Sequence, residues 1–166
     1  MDKDIQMMWL AIDEAKKARS RGDYFFGAVV ADENGILSRG GNRVITQNNS
    51  LAHVEYETIH YAVGATNARY LPTATLYCTC EPCVMCFGAL YWAGIRRVVW
   101  AMSQKDLTAH HKKSGNAIHK YRPSPVFIDW AVMARDHGIS VEQVLSKEVI
   151  DILNGKTIEI PKVESI

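Results

Sequence analysis

His53-Val54-Glu55 and, thirty residues further on, Pro82-Cys83-Val84-Met85-Cys86 supply three metal-ligand side chains and one unattached carboxylate in two short motifs. Zinc favours imidazole nitrogen and thiolate sulfur, and a catalytic zinc keeps its fourth position open for water. One His and two Cys are therefore the right count for a hydrolytic centre. A water held there has its pKa lowered to about 7, which makes it a nucleophile at neutral pH. Glu55, two residues from the ligand His53, is free to take that water's proton and hand it on to the departing group. The expected metal ligands are His53, Cys83 and Cys86, the expected catalytic residue is Glu55, and the expected cofactor is zinc.

These side chains need elements that converge on them. Ile5, Met8, Trp9, Ile12 and Ala15 recur at helical spacing, with Asp4 as a candidate N-cap and Gly22 as a stop. Gly27 to Asp32 and Ile36 to Ser38 read as a hairpin about a Glu33-Asn34-Gly35 turn. A helix running to Gly64 starts near His53, so His53 and Glu55 stand at its beginning. Ala74 to Cys80 reads as a strand with Leu76, Cys78 and Cys80 on one face, and Pro82 breaks it where a first helical position tolerates proline. Cys83 and Cys86 then fall one helical turn apart, in a helix ended by Gly94. Both motifs thus fall at helix N-termini, where free amides and the macrodipole favour thiolate over thiol.

Arg97 to Ala101 follows as a buried strand, residues 103 to 124 read as polar and irregular, and Ile128 to Arg135 as a helix. Ile139 to Glu142 is a last strand and Val144 to Leu153 a last helix, stopped at Asn154-Gly155. Helices alternating with strands predict an α/β sandwich with a mixed sheet, antiparallel at the first hairpin.

Length and composition bound the rest. At 166 residues, 48% apolar and 22% charged, the chain suits one globular domain spanning 1–166. A net charge of +1 gives no basic excess of the kind that marks a nucleic-acid partner. The sequence opens directly into the amphipathic pattern, without an apolar run of about 18 residues, so the expectation is a cytoplasmic protein with no membrane partner. All four cysteines lie between residues 78 and 86, too crowded for a disulfide framework and suited to a reducing compartment.

Plainer readings exist for several residues. Cys80-x-x-Cys83-x-x-Cys86 begins like an iron-sulfur run, but Leu90-Tyr91 stands where that run needs Cys-Pro. Cys78 reads as a core thiol, and Cys80 as core or as a fourth ligand that would close the site into a structural, non-catalytic one. His60, His119 and His137 read as surface or capping residues.

With the motifs in hand, H-x-E paired with P-C-x-x-C matches the signature of zinc-dependent deaminases. The chain resembles the cytidine deaminase-like superfamily, in the branch of guanine deaminases, tRNA adenosine deaminases and yeast-type cytosine deaminases that uses His in place of a third Cys. The resemblance runs from residue 5 to about 155, through Phe26-Gly27-Ala28-Val29-Val30, Gly41-Asn42-Arg43-Val44, Ala52-His53-Val54-Glu55 and Cys80 to Ala89. It implies a three-layer α/β/α sandwich with a central mixed five-stranded sheet, one zinc, hydrolytic release of ammonia from an aminated ring, and a homodimer.

The guanine deaminases look closest, on Asn42 to Thr46 with Asn48, Tyr91-Trp92-Ala93 and Asp106. That likeness implies a small-molecule nucleobase or nucleoside substrate, with Phe26 and Trp92 walling the base and Asn42 hydrogen-bonding it. An equally simple reading makes Phe26 and Trp92 core aromatics. Two positions depart from the pattern. Val54 stands where the family has a small residue, narrowing the space at the metal, and His111-Lys112-Lys113-Ser114 stands where guanine deaminases carry acids that read the purine. The competing activities are tRNA adenosine deamination and cytosine or nucleoside deamination. Lys112 and Lys113 also suggest a substrate carrying a phosphate or carboxylate.

Overall fold

The computed structural model describes residues 1–114 and 128–162. Five strands form one sheet in the order β2-β1-β3-β4-β5, from β1 (Gly27–Asp32), β2 (Gly35–Gly41), β3 (Thr75–Cys80), β4 (Arg97–Met102) and β5 (Ser140–Gln143). β1 runs antiparallel to both β2 and β3, whereas β3, β4 and β5 are parallel. The mixed sheet inferred from sequence is therefore present. The β1–β2 turn is tight, pairing Asp32 with Gly35, and Asp32 Oδ1 accepts the Asn34 amide at 2.8 Å.

Side chains alternate between the two faces, as the period of a strand requires. Val29, Ala31, Tyr77, Val99 and Ala101 pack beneath α1 (Lys3–Ser20) and α6 (Ser146–Leu153). Ala28, Val30, Leu76, Cys78, Val98 and Trp100 pack with α2 (Val54–Thr66), α3 (Val84–Trp92) and α5 (Trp130–His137). The result is the three-layer α/β/α sandwich. Cys80 departs from the expected one-face pattern: at the end of β3 it joins the α1-side cluster, whereas Leu76 and Cys78 lie on the other face.

α1 presses on the sheet so closely that Gly27 and Gly41, paired across β1 and β2, have no room for a side chain. A Cβ at Gly27 would run into the Ala11 carbonyl and the Ala15 amide, and one at Gly41 into the Glu14 carbonyl. This contact seats Met7, Met8, Ala11, Ile12, Ala15 and Ala18 against the strands.

Several boundaries correct the sequence reading. Asp2, not Asp4, caps α1, accepting the Asp4 amide at 2.8 Å. Asp4 instead forms a two-pronged ion pair with Arg97, at 2.9 and 2.6 Å, and accepts the Tyr77 hydroxyl at 2.9 Å, pinning the start of α1 to β3 and β4. α2 runs past Gly64 to Thr66 and is closed by left-handed Asn67 (φ 49°). α5 begins at Trp130 rather than Ile128, because the Asp129 carboxylate accepts the amides of Ala131 and Val132 and caps it there.

The largest correction lies in the stretch read as irregular, where Gln104–Ser114 forms helix α4. Ser103 Oγ accepts the Asp106 amide while Asp106 Oδ2 accepts the Ser103 amide and hydroxyl, a reciprocal capping box. Asp106 is thus a helix-cap residue. His119, Pro123 and Pro125 lie outside the described residues. Among the described residues no helix is long and apolar enough to cross a membrane.

Candidate zinc site

Two helix starts meet on one side of the sheet. His53 is the N-cap of α2 and Cys83 the N-cap of α3, and neither uses its side chain to cap, so both are available to a ligand. Pro82 sits two positions earlier than expected, just before the cap. Cys83 is extended (φ −74°, ψ 172°), and Cys86 follows on the first turn of α3.

His53 Nδ1 lies 3.6 Å from Cys83 Sγ and 3.7 Å from Cys86 Sγ, and the two sulfurs are 3.6 Å apart. A tetrahedral zinc with Zn–S of about 2.3 Å and Zn–N of about 2.0 Å requires edges of about 3.8 Å between sulfurs and about 3.6 Å from nitrogen to sulfur. The three ligand atoms therefore already form one face of a zinc tetrahedron. Among the described residues these three alone group as a metal site, and Cys80 stands outside the group. Burial pushes the Cys80 thiol well above the usual range, as it does Cys78, so both behave as core thiols.

The electrostatics suit metal capture. The neighbouring Cys86 sulfur and the His53 ring together hold Cys83 down at about 4. The same contact with Cys83, together with burial, pushes Cys86 up. His53 is raised by its contact with Cys83 despite its burial. A metal ion would displace the remaining proton and hold both sulfurs as thiolates.

Glu55, only 6% exposed, sits directly behind the ligands with Oε2 3.4 Å from Cys86 Sγ. Desolvation raises its pKa, opposed by the positive field of His53, so its environment favours holding a proton. Val54 is fully buried between His53 and Glu55, packed in the core beneath α2.

Asn42 is buried at the end of β2 and fixed by its backbone: its amide donates to Phe26 O at 2.9 Å, and its Oδ1 accepts the Val44 amide at 3.1 Å. Phe26, half-buried, bridges the clusters on both faces of the sheet. Trp92 is not brought to the ligands. It is 77% exposed at the C-terminal end of α3, about 13 Å along the helix from Cys83, so within one chain it is neither core nor pocket wall.

One positioning residue had no local signal in the sequence. Asp23, fully buried, accepts the amides of Ile45 and Thr46 at 3.0 Å each and the Thr46 hydroxyl at 2.8 Å, with Arg21 beside it. Arg21 also donates to Asn42 O at 3.2 Å. This carboxylate clamps the loop that carries Asn42.

The sequence profile of the family described as the cytidine and deoxycytidylate deaminase zinc-binding region matches residues 1–102. A probable cytosine deaminase of Schizosaccharomyces pombe is 35% identical over 115 residues, 69% of this chain and 69% of that protein. Guanine deaminase of Bacillus subtilis is 41% identical over 81 residues, 49% of this chain and 52% of that protein. A solved structure from work on A-to-I editing by tRNA:A34 deaminases superposes with a TM-score of 0.63 at 27% identity, covering 89% of this chain and 97% of that chain. With its ligand triangle inside the matched region, the chain belongs to the cytidine and deoxycytidylate deaminase zinc-binding family.

Proposed function

We propose that this protein is a hydrolytic deaminase of a purine base or related amino-heterocycle, releasing ammonia. The observation that carries the reading is the triangle of His53, Cys83 and Cys86 with a buried, metal-free carboxylate, Glu55, directly behind it. A zinc ion held by the three ligands supplies the Lewis acidity that makes water a nucleophile near neutral pH. Glu55 takes one proton from the attacking water and delivers it to the ring nitrogen next to the aminated carbon, then carries the remaining hydroxyl proton to the departing amine, so that ammonia leaves as the ring carbonyl forms. Burial raises its pKa and so favours the proton-bearing form that the transfer needs. Asn42, held by Phe26 O and the Val44 amide, hydrogen-bonds the ring, and Phe26 packs against it. Val54 limits the depth of the site. The 41% identity to a guanine deaminase supports a purine.

Ammonia release from guanine, adenine, cytosine and their nucleosides by zinc-loaded protein tests the reading directly. Release from a purine is the expected result, and silence across the panel overturns it. A second reading, adenosine deamination in tRNA, is favoured by the superposition on the tRNA deaminase structure. It requires salt-dependent binding of an anticodon stem-loop in a gel shift.

The same proposal covers assembly and setting. α3 carries no charged residue, only Cys86 and Leu90 of it are buried, and it exposes Val84 and Trp92, while neighbouring α2 exposes Tyr56 and Tyr61. A helix apolar on all sides needs cover. Three exposed aromatic side chains of about 150–250 Å² each make up a large part of the roughly 800 Å² per partner that a stable complex buries. A second copy of the chain, set by a two-fold axis against the same face, supplies that cover. A Trp92→Lys variant is expected to sediment as a monomer. Four free thiols support a reducing compartment such as the cytoplasm, and the two clusters flanking one sheet support a single domain.

A further inference from the structure

A cavity of about 520 Å³ opens beside the ligand-bearing loop, lined by Glu81, Lys105, Thr108, Ala109, Lys112 and Ile128. Four of these lie at i, i+3, i+4 and i+7 of α4, so they form one face of that helix. Glu81 is two residues from Cys83, so its Cα lies within about 8 Å of the ligand's Cα. Gln104 ties the wall to the loop, its Nε2 donating to Pro82 O at 3.1 Å.

The charge in this cavity is unbalanced. The lining holds two lysines and one carboxylate, and Glu81 keeps its negative charge because both its donors are neutral, the Trp130 indole to Oε1 at 2.9 Å and the Gln104 amide to Oε2 at 3.0 Å. Asp106, the acid on α4, is held by Ser103. Lys105 and Lys112 have no ion-pair partner among the described residues.

We infer that this cavity receives an anionic group, a phosphate or carboxylate, attached to the amino-heterocycle, with Lys105 and Lys112 as its counter-charges. A charged heterocycle such as a mononucleotide is then preferred over the corresponding neutral base or nucleoside. This rests on the deaminase reading for the orientation of the ring but not for the binding of the anion. Two exposed ammonium groups contribute modest, salt-screened attraction, which sets the size of the effect at about tenfold.

Equilibrium dialysis of zinc-loaded protein tests it, with guanosine 5′-monophosphate against guanosine and pterin-6-carboxylate against pterin. The expected result is about tenfold tighter binding of the charged member of at least one pair, which identifies phosphate or carboxylate as the group. The preference should vanish in Lys105→Gln/Lys112→Gln and shrink at high salt, while affinity for the neutral member stays unchanged. Equal binding of charged and neutral members, or equal losses for both in the variant, overturns it. So does lysine-dependent binding confined to an RNA stem-loop. Circular dichroism and zinc content verify that the variant is folded. Ammonia release measured on the same samples separates the claims. A charge preference without turnover leaves the subsite standing and removes the deaminase reading, whereas turnover of neutral bases without a charge preference does the reverse.

Discussion

The Cys86 thiol donates to Glu55 Oε2 across 3.4 Å, so the candidate metal ligand and the carboxylate proposed to carry the proton share one buried contact. This contact makes the two functions separable by mutation, because the amide of Gln has the shape of Glu55 and keeps an acceptor oxygen while losing the ability to carry a proton. Glu55→Gln is expected to keep one zinc per chain and nearly the wild-type melting temperature, with kcat reduced by about 10²- to 10⁴-fold. An active variant, checked by ammonia release and metal analysis together, would remove Glu55 from the chemistry.

Metal removal should loosen the fold as well as stop turnover. His53, Cys83 and Cys86 tie α2 to α3, and a ligand that binds only the native state stabilises it by about 4 kcal/mol at a thousand times its Kd. Chelation is expected to lower the melting temperature reversibly, with recovery on adding zinc. Cys83→Ala should show the lower value from the outset and no response to zinc.

Asp23 governs the loop that presents Asn42. Asp23→Ala leaves the amides of Ile45 and Thr46 without their protein acceptor, at a cost of about 1–3 kcal/mol in stability. KM is expected to rise more than kcat falls, since the loop moves while the ligands and Glu55 stay. A kcat-only defect in steady-state kinetics would contradict this role.

Acid should release the α1 anchor. The Arg97 guanidinium holds the Asp4 carboxyl below its ordinary value of 3.8, and its partner Tyr77 is pushed up to about 12 by burial and by Asp4. The folded state therefore favours the ionised carboxylate. Its contribution is present above about pH 4 and is lost as pH falls through the lower folded pKa. Asp4→Asn is expected to cost about 1–2 kcal/mol at pH 7 in urea unfolding, with the gap from wild type closing below pH 4. A gap that persists unchanged at pH 3 would show that shape, not charge, sets the effect.

Gly27 is irreplaceable for packing reasons. A methyl group there meets the backbone of Ala11 and Ala15, which cannot yield unless the whole of α1 shifts. Gly27→Ala is expected to destabilise by about 3 kcal/mol or more. Unfolding at wild-type urea concentration would mean that α1 sits farther from the sheet.

Local signals carried much of the molecule. The H-x-E and P-C-x-x-C spacings put His53, Glu55, Cys83 and Cys86 at helix starts, because caps, proline and the helical repeat act within a few residues, and the continuous apolar run from Val98 to Ala101 marked a buried strand. Where those signals were weak, the reading failed. Among the described side chains of α4 only one apolar residue, Leu107, is buried, so apolar periodicity gave nothing to follow, and the Ser103-Asp106 capping box was the one signal that could have revealed the helix. Tertiary structure alone decided the rest. Asp23 reaches a loop 22 residues away, Asp4 reaches Arg97 across 93, and Trp92 ends exposed, because hydrogen bonds and packing act through space and leave no periodic trace along the chain. The sequence determined which side chains could do the chemistry. Folding determined which of them meet, since two helix N-termini converge only once the parallel strands have paired.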